Sequence, residues 1–343
     1  DKIRSMDDSR YVTNSLNLML SVMDKIGQIM AAHAMQQQAP GENAEINSAM
    51  NSLGNMKDIV VSSEIAGKAT EEAFGQVDIA GYNYGTCRYV QDGKTYPDRI
   101  IVGSETYATE LDVNWELVEK YPYLIGDFTW TAWDYLGEAG IGKVEYGEGQ
   151  QPGFYAPYPC KAAYCGDLNL IGDRRPVSYW RQMIWGLRRA PYLAVRPPMR
   201  HGQNRIMTEW TLSAIHSWNW KGQEGKPATV EVYADADEVE LFVNGQSVGR
   251  QAVGAEKKDI ALFETVYEPG TLEAVAYRSG QEIGRDVIKT AQDDLQIRAQ
   301  ADAETIPADG SDICYVEISL TDQEGVLNPE ADCAVSISVE GPG

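Results

Sequence analysis

Apolar positions in the first 190 residues alternate between helical spacing and short unbroken runs of strand length. Residues 14–36 carry apolar side chains at helical spacing behind Asn14, which the pattern predicts as a helix cap. After the polar stretch QQQAPGENAE, the segment NSAMNSLGNM (47–56) reads as a second helix and Glu64 to Phe74 as a third. Three buried-strand runs follow: VDIAGYNYG (77–85), RIIVGSETY (99–107) and LIGDFTWTAWDY (124–135). Between the last two, LDVNWELVEKYP (111–122) returns to helical spacing, and that rhythm predicts a parallel α/β unit. A Gly-, Pro- and Tyr-rich loop (142–165) precedes a last helix. Pro176 stands in its first turn, and Val177, Trp180, Ile184 and Leu187 form one apolar face.

From about residue 205 the pattern becomes all-β. TVEVYADADEVELFVNGQSVGR alternates apolar and polar residues through two strands, with Asn244-Gly245 as a hairpin turn, and further strands read at 259–267, 271–278 and 283–289. The expected organisation is multidomain, α/β followed by all-β: an α/β domain over 1–190, an immunoglobulin-like β-sandwich over 205–290, and a truncated sandwich over 291–343. No internal repeat links the two sandwich segments.

Composition narrows the function classes. With 43% hydrophobic and 23% charged residues the chain is globular, and its formal net charge of −22 argues against a nucleic-acid partner. No apolar run approaches the ~20 residues of a membrane-crossing helix, so no membrane partner is expected. The chain opens DKIRSMDDSR, with no Met and no signal-peptide pattern, and reads as a piece of something longer. Five cysteines, with no CxxC pair, and three histidines offer no zinc or iron–sulfur ligand set. Cys314 and Cys333 could face each other across the late sandwich, but reduced core thiols are the expectation, and unpaired cysteines lean towards a cytoplasmic setting. Eight arginines crowd residues 174–205 and are expected to pack against the acidic body. Eight Trp and 19 Tyr against five Phe favour a wet site that stacks flat ligands.

The chemistry concentrates in IIVGSETYA (100–108), where a buried strand ends in small residues and presents Glu105. Side chains at the C-terminal ends of parallel strands line the active site of an α/β barrel. The neighbouring runs end in Tyr82, Asn83 and Tyr84, and in Trp130, Trp133 and Asp134. One carboxylate among tyrosines and tryptophans suits sugar chemistry, because aromatic faces stack on a pyranose while a carboxylate meets the anomeric carbon. On the residues alone, an ordinary polar strand-end residue is the first reading of Glu105.

These segments together resemble glycoside hydrolase family 2, the family of β-galactosidases, β-glucuronidases and β-mannosidases. DSRYVTNSLN looks like the family's fifth barrel strand, DIAGYNYG the sixth, IIVGSETYA the seventh and IGDFTWTAWDYLGE the eighth. YCGDLNLIGDRRPVSYW is similar to the barrel's closing stretch, and WNWKGQEGKPATVEVYADADEVELFVNGQSVG to the sandwich that follows. The resemblance implies the C-terminal half of a (β/α)8 barrel followed by immunoglobulin-like sandwiches. It implies Glu105 as the catalytic nucleophile and Tyr84 as the tyrosine that hydrogen-bonds it. Trp133, in preference to Trp130, is the expected sugar platform, with Asn83 and Tyr82 also facing the substrate. Asp134 and Glu138 are expected to anchor loops.

One departure from the family pattern matters. The family's acid/base glutamate follows an asparagine at the end of the fourth strand, which would precede Asp1. Glu42 and Asn43 stand in the wrong order in a loop, and Glu64 sits at a helix start. Retaining hydrolysis needs two carboxyl groups about 5 Å apart. The expected partners are therefore a carbohydrate and the missing N-terminal half of the enzyme, with a homo-oligomer left open. No cofactor is expected, although a Na⁺ or Mg²⁺ near the sugar would suit galactosidase-type relatives. The glucuronidase Asn-x-Lys pair is absent from CGDLNLIGDRRP, and Asn219-x-Lys221 lies in the sandwich, which favours a neutral sugar and galactose first. β-Glucuronidase, β-mannosidase and a non-catalytic carbohydrate-binding module are the competing readings.

Overall fold

Four short strands lie side by side in chain order, all parallel: β1 (Leu16–Asn17), β2 (Ile79–Asn83), β3 (Ile100–Thr106) and β4 (Leu124–Thr129). This computed structural model describes residues 2–37, 56–147, 156–206 and 214–340. Most of the expected 47–56 helix, together with Glu42 and Asn43, lies outside the described residues. The chain divides into two units, residues 1–185 with 205–212, and residues 186–204 with 213–343.

Among the described residues of the first unit seven helices accompany the sheet: α1 (Lys2–Met6), α2 (Ile26–Gln37), α3 (56–62), α4 (Glu64–Phe74), α5 (Tyr89–Thr95), α6 (Leu111–Lys120) and α7 (Pro176–Ile184). The parallel order follows from the α4–β2–α5–β3–α6–β4 alternation, since parallel neighbours need a crossover between them. α4 begins cleanly because Ser63 accepts a hydrogen bond from the Ala66 amide, and it buries Ala66, Gly67, Thr70 and Phe74. Phe74 joins Leu18, Tyr82, Tyr89, Ile101 and Leu124 in one apolar core. Beneath it Arg88 and Asp92, exposed to 2% and 1%, form a buried ion pair, and Asp92 also accepts from the Tyr82 hydroxyl at 2.6 Å.

Three expectations for this unit need correction. The helix predicted from Asn14 begins later, because Leu16–Asn17 pair with Tyr82–Asn83 as a strand. It is Asn17, not Asn14, whose side chain accepts from the Leu20 amide, at 3.0 Å. A two-residue buried strand has the same apolar signature as one helical turn, so periodicity could not separate them. Strand β4 stops at Thr129, short of the predicted Tyr135. In α7 the buried face is Val177, Trp180 and Met183, while Leu187 lies beyond the helix and is 69% exposed.

The sandwich of the second unit is built from two antiparallel sheets. One orders Ile260–Val266, Pro227–Tyr233 and Tyr192–Val195. The other orders Gln246–Ala252, Glu238–Val243, Thr271–Arg278 and Gln281–Lys289. Inward residues such as Val230, Val232, Val239, Leu241, Phe263 and Leu272 form the core with Trp218. The stretch read as two strands contains three, because Ala234–Asp237 carries the chain from one sheet to the other. Asn244 and Gly245 take φ of 50° and 77°, the left-handed pair that a two-residue hairpin with the strands' own twist requires. The domain boundary also moves. Tyr192–Val195 pairs with Pro227–Tyr233, so the sandwich starts before 205. Its four buried residues lack the alternation that marks a half-buried strand. The last segment shows two paired strands, Gln296–Ala301 and Val316–Thr321, among the described residues.

Asn219-x-Lys221 has a structural use within this unit. Asn219 is buried, accepts from the Ala291 amide at 2.7 Å and donates to the Leu327 carbonyl at 3.2 Å, while exposed Lys221 pairs with Asp293. Three arginines of 174–205 are held in ion pairs: Arg175 by Asp134, Arg181 by Asp167 and Arg196 by Glu231. Cys314 and Cys333 are free thiols.

Candidate active site

The C-terminal ends of β2 and β3 bring Asn83 and Glu105 into contact. A register shift between Tyr82 and Asn83 sets Asn83 opposite Glu105. Asn83 Nδ2 then donates to Glu105 Oε2 at 2.9 Å, and Ser104 Oγ donates to Asn83 Oδ1 at 2.8 Å. A serine, an amide and a carboxylate thus form a chain in which each member fixes the next. The amide flip is settled by this chain, since Asn83 must donate to the carboxylate and accept from the hydroxyl.

Tyr84 leaves the strand with φ of 55°, a conformation uncommon for a non-glycine residue, and its amide donates to the Glu105 carbonyl at 2.7 Å. Its ring stacks on Tyr107 with centroids 4.3 Å apart, and Lys57 Nζ lies 4.4 Å from the centre of the Tyr107 ring. Trp130 joins from β4: its amide donates to the Thr106 carbonyl at 2.9 Å, and its ring meets Tyr135 edge-on at 5.8 Å. Tyr84, Tyr107, Trp130 and Tyr135 pack around Ala163 and Cys165 as one aromatic wall.

The structure does not bring every expected residue here. Tyr82 is fully buried on the helix side of the sheet, donating to Asp92 and accepting from Arg99 at 2.9 Å, so the expectation that it faces substrate is corrected. Side chains alternate along a strand, and Tyr82 and Asn83 therefore cannot share a face. Trp133 is 50% exposed on the loop beyond β4, with its backbone bridged to Leu168, whereas Trp130 is the tryptophan bonded beside Glu105. Asp134 is buried, accepts from the Gly166 amide at 2.8 Å and pairs with Arg175. Glu138 accepts from the Tyr135 hydroxyl. Both hold the loop. Glu64 is 85% exposed in the first turn of α4 and pairs with Lys68. Sequence reasoning missed Tyr107 and Ser104 as members of the site, although both lie within the same strand-end segment as Glu105. The signal was the dense run of polar residues after a buried strand.

A carboxylate held by an amide stands at the tops of adjacent parallel strands of an α/β unit, beside an aromatic wall. Comparison with known proteins narrows this. Residues 297–343 match the family described as glycoside hydrolase family 2 C-terminal domain 5, and residues 225–284 match a domain of unknown function, DUF4982. A crystal structure of a glycosyl hydrolase family 2 member from Bacteroides cellulosilyticus is 40% identical, with a TM-score of 0.67, over 76% of this chain and 34% of that one. The β-galactosidase BoGH2A of Bacteroides ovatus is 28% identical over 280 residues, 80% of this chain and 26% of its own length. A putative β-glucuronidase of Formosa agariphila is 30% identical over 230 residues, 66% of this chain and 19% of its own. The chain belongs to glycoside hydrolase family 2. It spans about a quarter of the length of BoGH2A and about a third of the Bacteroides cellulosilyticus protein.

Proposed function

We propose that this chain supplies the nucleophile half of a retaining exo-β-glycosidase, a β-galactosidase by preference. The four parallel strands would be strands five to eight of a (β/α)8 barrel, followed by immunoglobulin-like sandwiches. The observation that carries this reading is the Asn83–Glu105 contact of 2.9 Å at adjacent strand tops. An amide donor on one carboxylate oxygen holds Glu105 in place and aims its other oxygen. Glu105 then attacks the anomeric carbon as the leaving group departs, forming a covalent glycosyl-enzyme that water later cleaves. Tyr84 would steady the carboxylate as the sugar leaves, and Trp130 would stack on the apolar face of the ring. The acid/base carboxyl would come from strands supplied upstream.

Strands β1 and β4 are the edges of the sheet, and β4 exposes Ile125 and Phe128 at 51% and 65%. Upstream barrel strands are the proposed partner for those edges. The test is a 2-fluoro glycoside incubated with the full-length protein, followed by peptide mapping. Label on Glu105 is expected, and label on another carboxylate overturns the assignment. A panel of aryl β-glycosides then decides the sugar.

A further inference from the structure

Tyr84 keeps its φ of 55° although it carries a side chain. A non-glycine residue stays in the left-handed region only where its surroundings over-determine it. Part of the hold is the bond from its own amide to the Glu105 carbonyl. The rest comes through the ring, which lies on Tyr107 with the two planes 28° from parallel. Tyr107 continues the extended backbone of β3, with φ of −84° and ψ of 138°. Thr106, between Glu105 and Tyr107, is fully buried, so Glu105 and Tyr107 share the other face of the strand end.

Lys57 reaches this pair from α3. Its Nζ stands over the Tyr107 ring, 4.4 Å from the centre, and donates to Glu110 Oε1 at 3.0 Å. Thr86 Oγ1 lies 2.9 Å from Glu110 Oε2 and from Asn114 Oδ1, and its one proton goes to the charged acceptor. Thr86 follows Tyr84 by two residues, so the contacts close into a ring: Tyr84, Tyr107, Lys57, Glu110, Thr86. The Lys57 and Glu110 side chains are only 18% and 27% exposed, and a cation gains most from an aromatic face where water is largely kept away. Asp58, the other carboxylate near the ammonium, is 56% exposed and stands at 3.9 Å, beyond hydrogen-bond reach.

We propose that Lys57 is a positioning residue for the reaction at Glu105: its ammonium, aimed by Glu110, pins Tyr107 and through it the Tyr84 side chain at the end of β3. This rests on the reading of Glu105 as nucleophile and of Tyr84 as the residue that steadies it. A charge drawn to a ring face on one side and to a carboxylate on the other has one place to sit, which an alkyl side chain of the same length does not. Lys57 acts through two rings. Its removal should therefore slow the chemistry and leave sugar binding nearly unchanged.

The test uses the full-length protein. Lys57→Met keeps the stem and removes the charge, and should lower kcat about tenfold with KM changed less than twofold. Lys57→Arg, whose guanidinium can stack on the ring and pair with Glu110, should recover most of the loss. Tyr84→Phe keeps the ring and removes the hydroxyl. In that background Lys57→Met should cost less than a further twofold, because its effect runs through the lost group. A full further tenfold loss in the double variant, or equal losses in Lys57→Arg and Lys57→Met, would overturn the proposal. Crystal structures give a readout independent of activity. In Lys57→Met the Tyr84 and Tyr107 rings should part or Tyr84 should leave its positive φ, and in Lys57→Arg both should stay; an unchanged stack in Lys57→Met overturns the proposal. The two readings fail separately. A 2-fluoro glycoside label on another carboxylate, or full activity in Tyr84→Phe, defeats the reading of the site, while the Lys57→Met structure still decides whether Lys57 holds the stack.

Discussion

Asn83 donates to Glu105 across the junction of two parallel strands, at 2.9 Å, and Ser104 donates to Asn83 at 2.8 Å. The carboxylate is thus held from the neighbouring strand and from its own. Removing the middle member frees Glu105 without deleting it. Asn83→Ala in the full-length protein should lower kcat by about 10²-fold, the scale of a misplaced reacting group. The melting temperature should change little, since one net hydrogen bond contributes about 1 kcal/mol. Steady-state kinetics beside a thermal melt separate the two effects.

The two tryptophans should behave differently. Trp130 is bonded to the Thr106 carbonyl beside Glu105 and packed on Tyr135, whereas Trp133 is half exposed on the outer loop. Trp130→Ala should cost at least 10²-fold in kcat/KM on an aryl glycoside, and Trp133→Ala less than tenfold. The reverse order would restore Trp133 as the sugar platform.

Stability should depend on pH through Asp127. Burial pushes its folded carboxyl up to about 6, above the ordinary 3.8, so the folded chain binds more protons than the unfolded one between those values. This group's contribution therefore favours the fold at low pH and is lost as pH rises through about 6. Asp127→Asn should raise the melting temperature relative to the wild type above pH 6, with the difference from this titration vanishing below pH 4. A pH series of thermal melts checks the sign. A difference that grows on acidification contradicts it.

Asp92 should be costly to remove. It pairs with Arg88 in a site where both side chains are 2% exposed, and it also accepts from Tyr82. Asp92→Ala leaves a buried guanidinium uncompensated, for which about 3–5 kcal/mol is the expected loss. Urea denaturation of the first unit reads it directly. Changing exposed Glu64, paired with Lys68, should move stability by less than about 0.5 kcal/mol.

Much of this protein was legible in the order of its residues. Runs around Ile79–Asn83 and Ile100–Thr106 are short, apolar and flanked by helical spacing, which is enough to place strands and to put Glu105 at a strand end. Asn244-Gly245 specifies its own turn, because the φ values it needs are a local property. Tertiary structure alone decided which neighbours share a face. The register shift at Tyr82/Asn83 sends one side chain to Asp92 and the next to Glu105, and a shift in strand pairing leaves no trace in composition. It also decided that Leu16–Asn17 would be a strand, since β2 supplies the hydrogen bonds a helical turn would otherwise make. The close approaches at Gly103 draw Tyr89, Thr106 and Asp127 from three elements spread over 39 positions of the chain. Burial and contact of that kind come from packing, which periodicity does not encode.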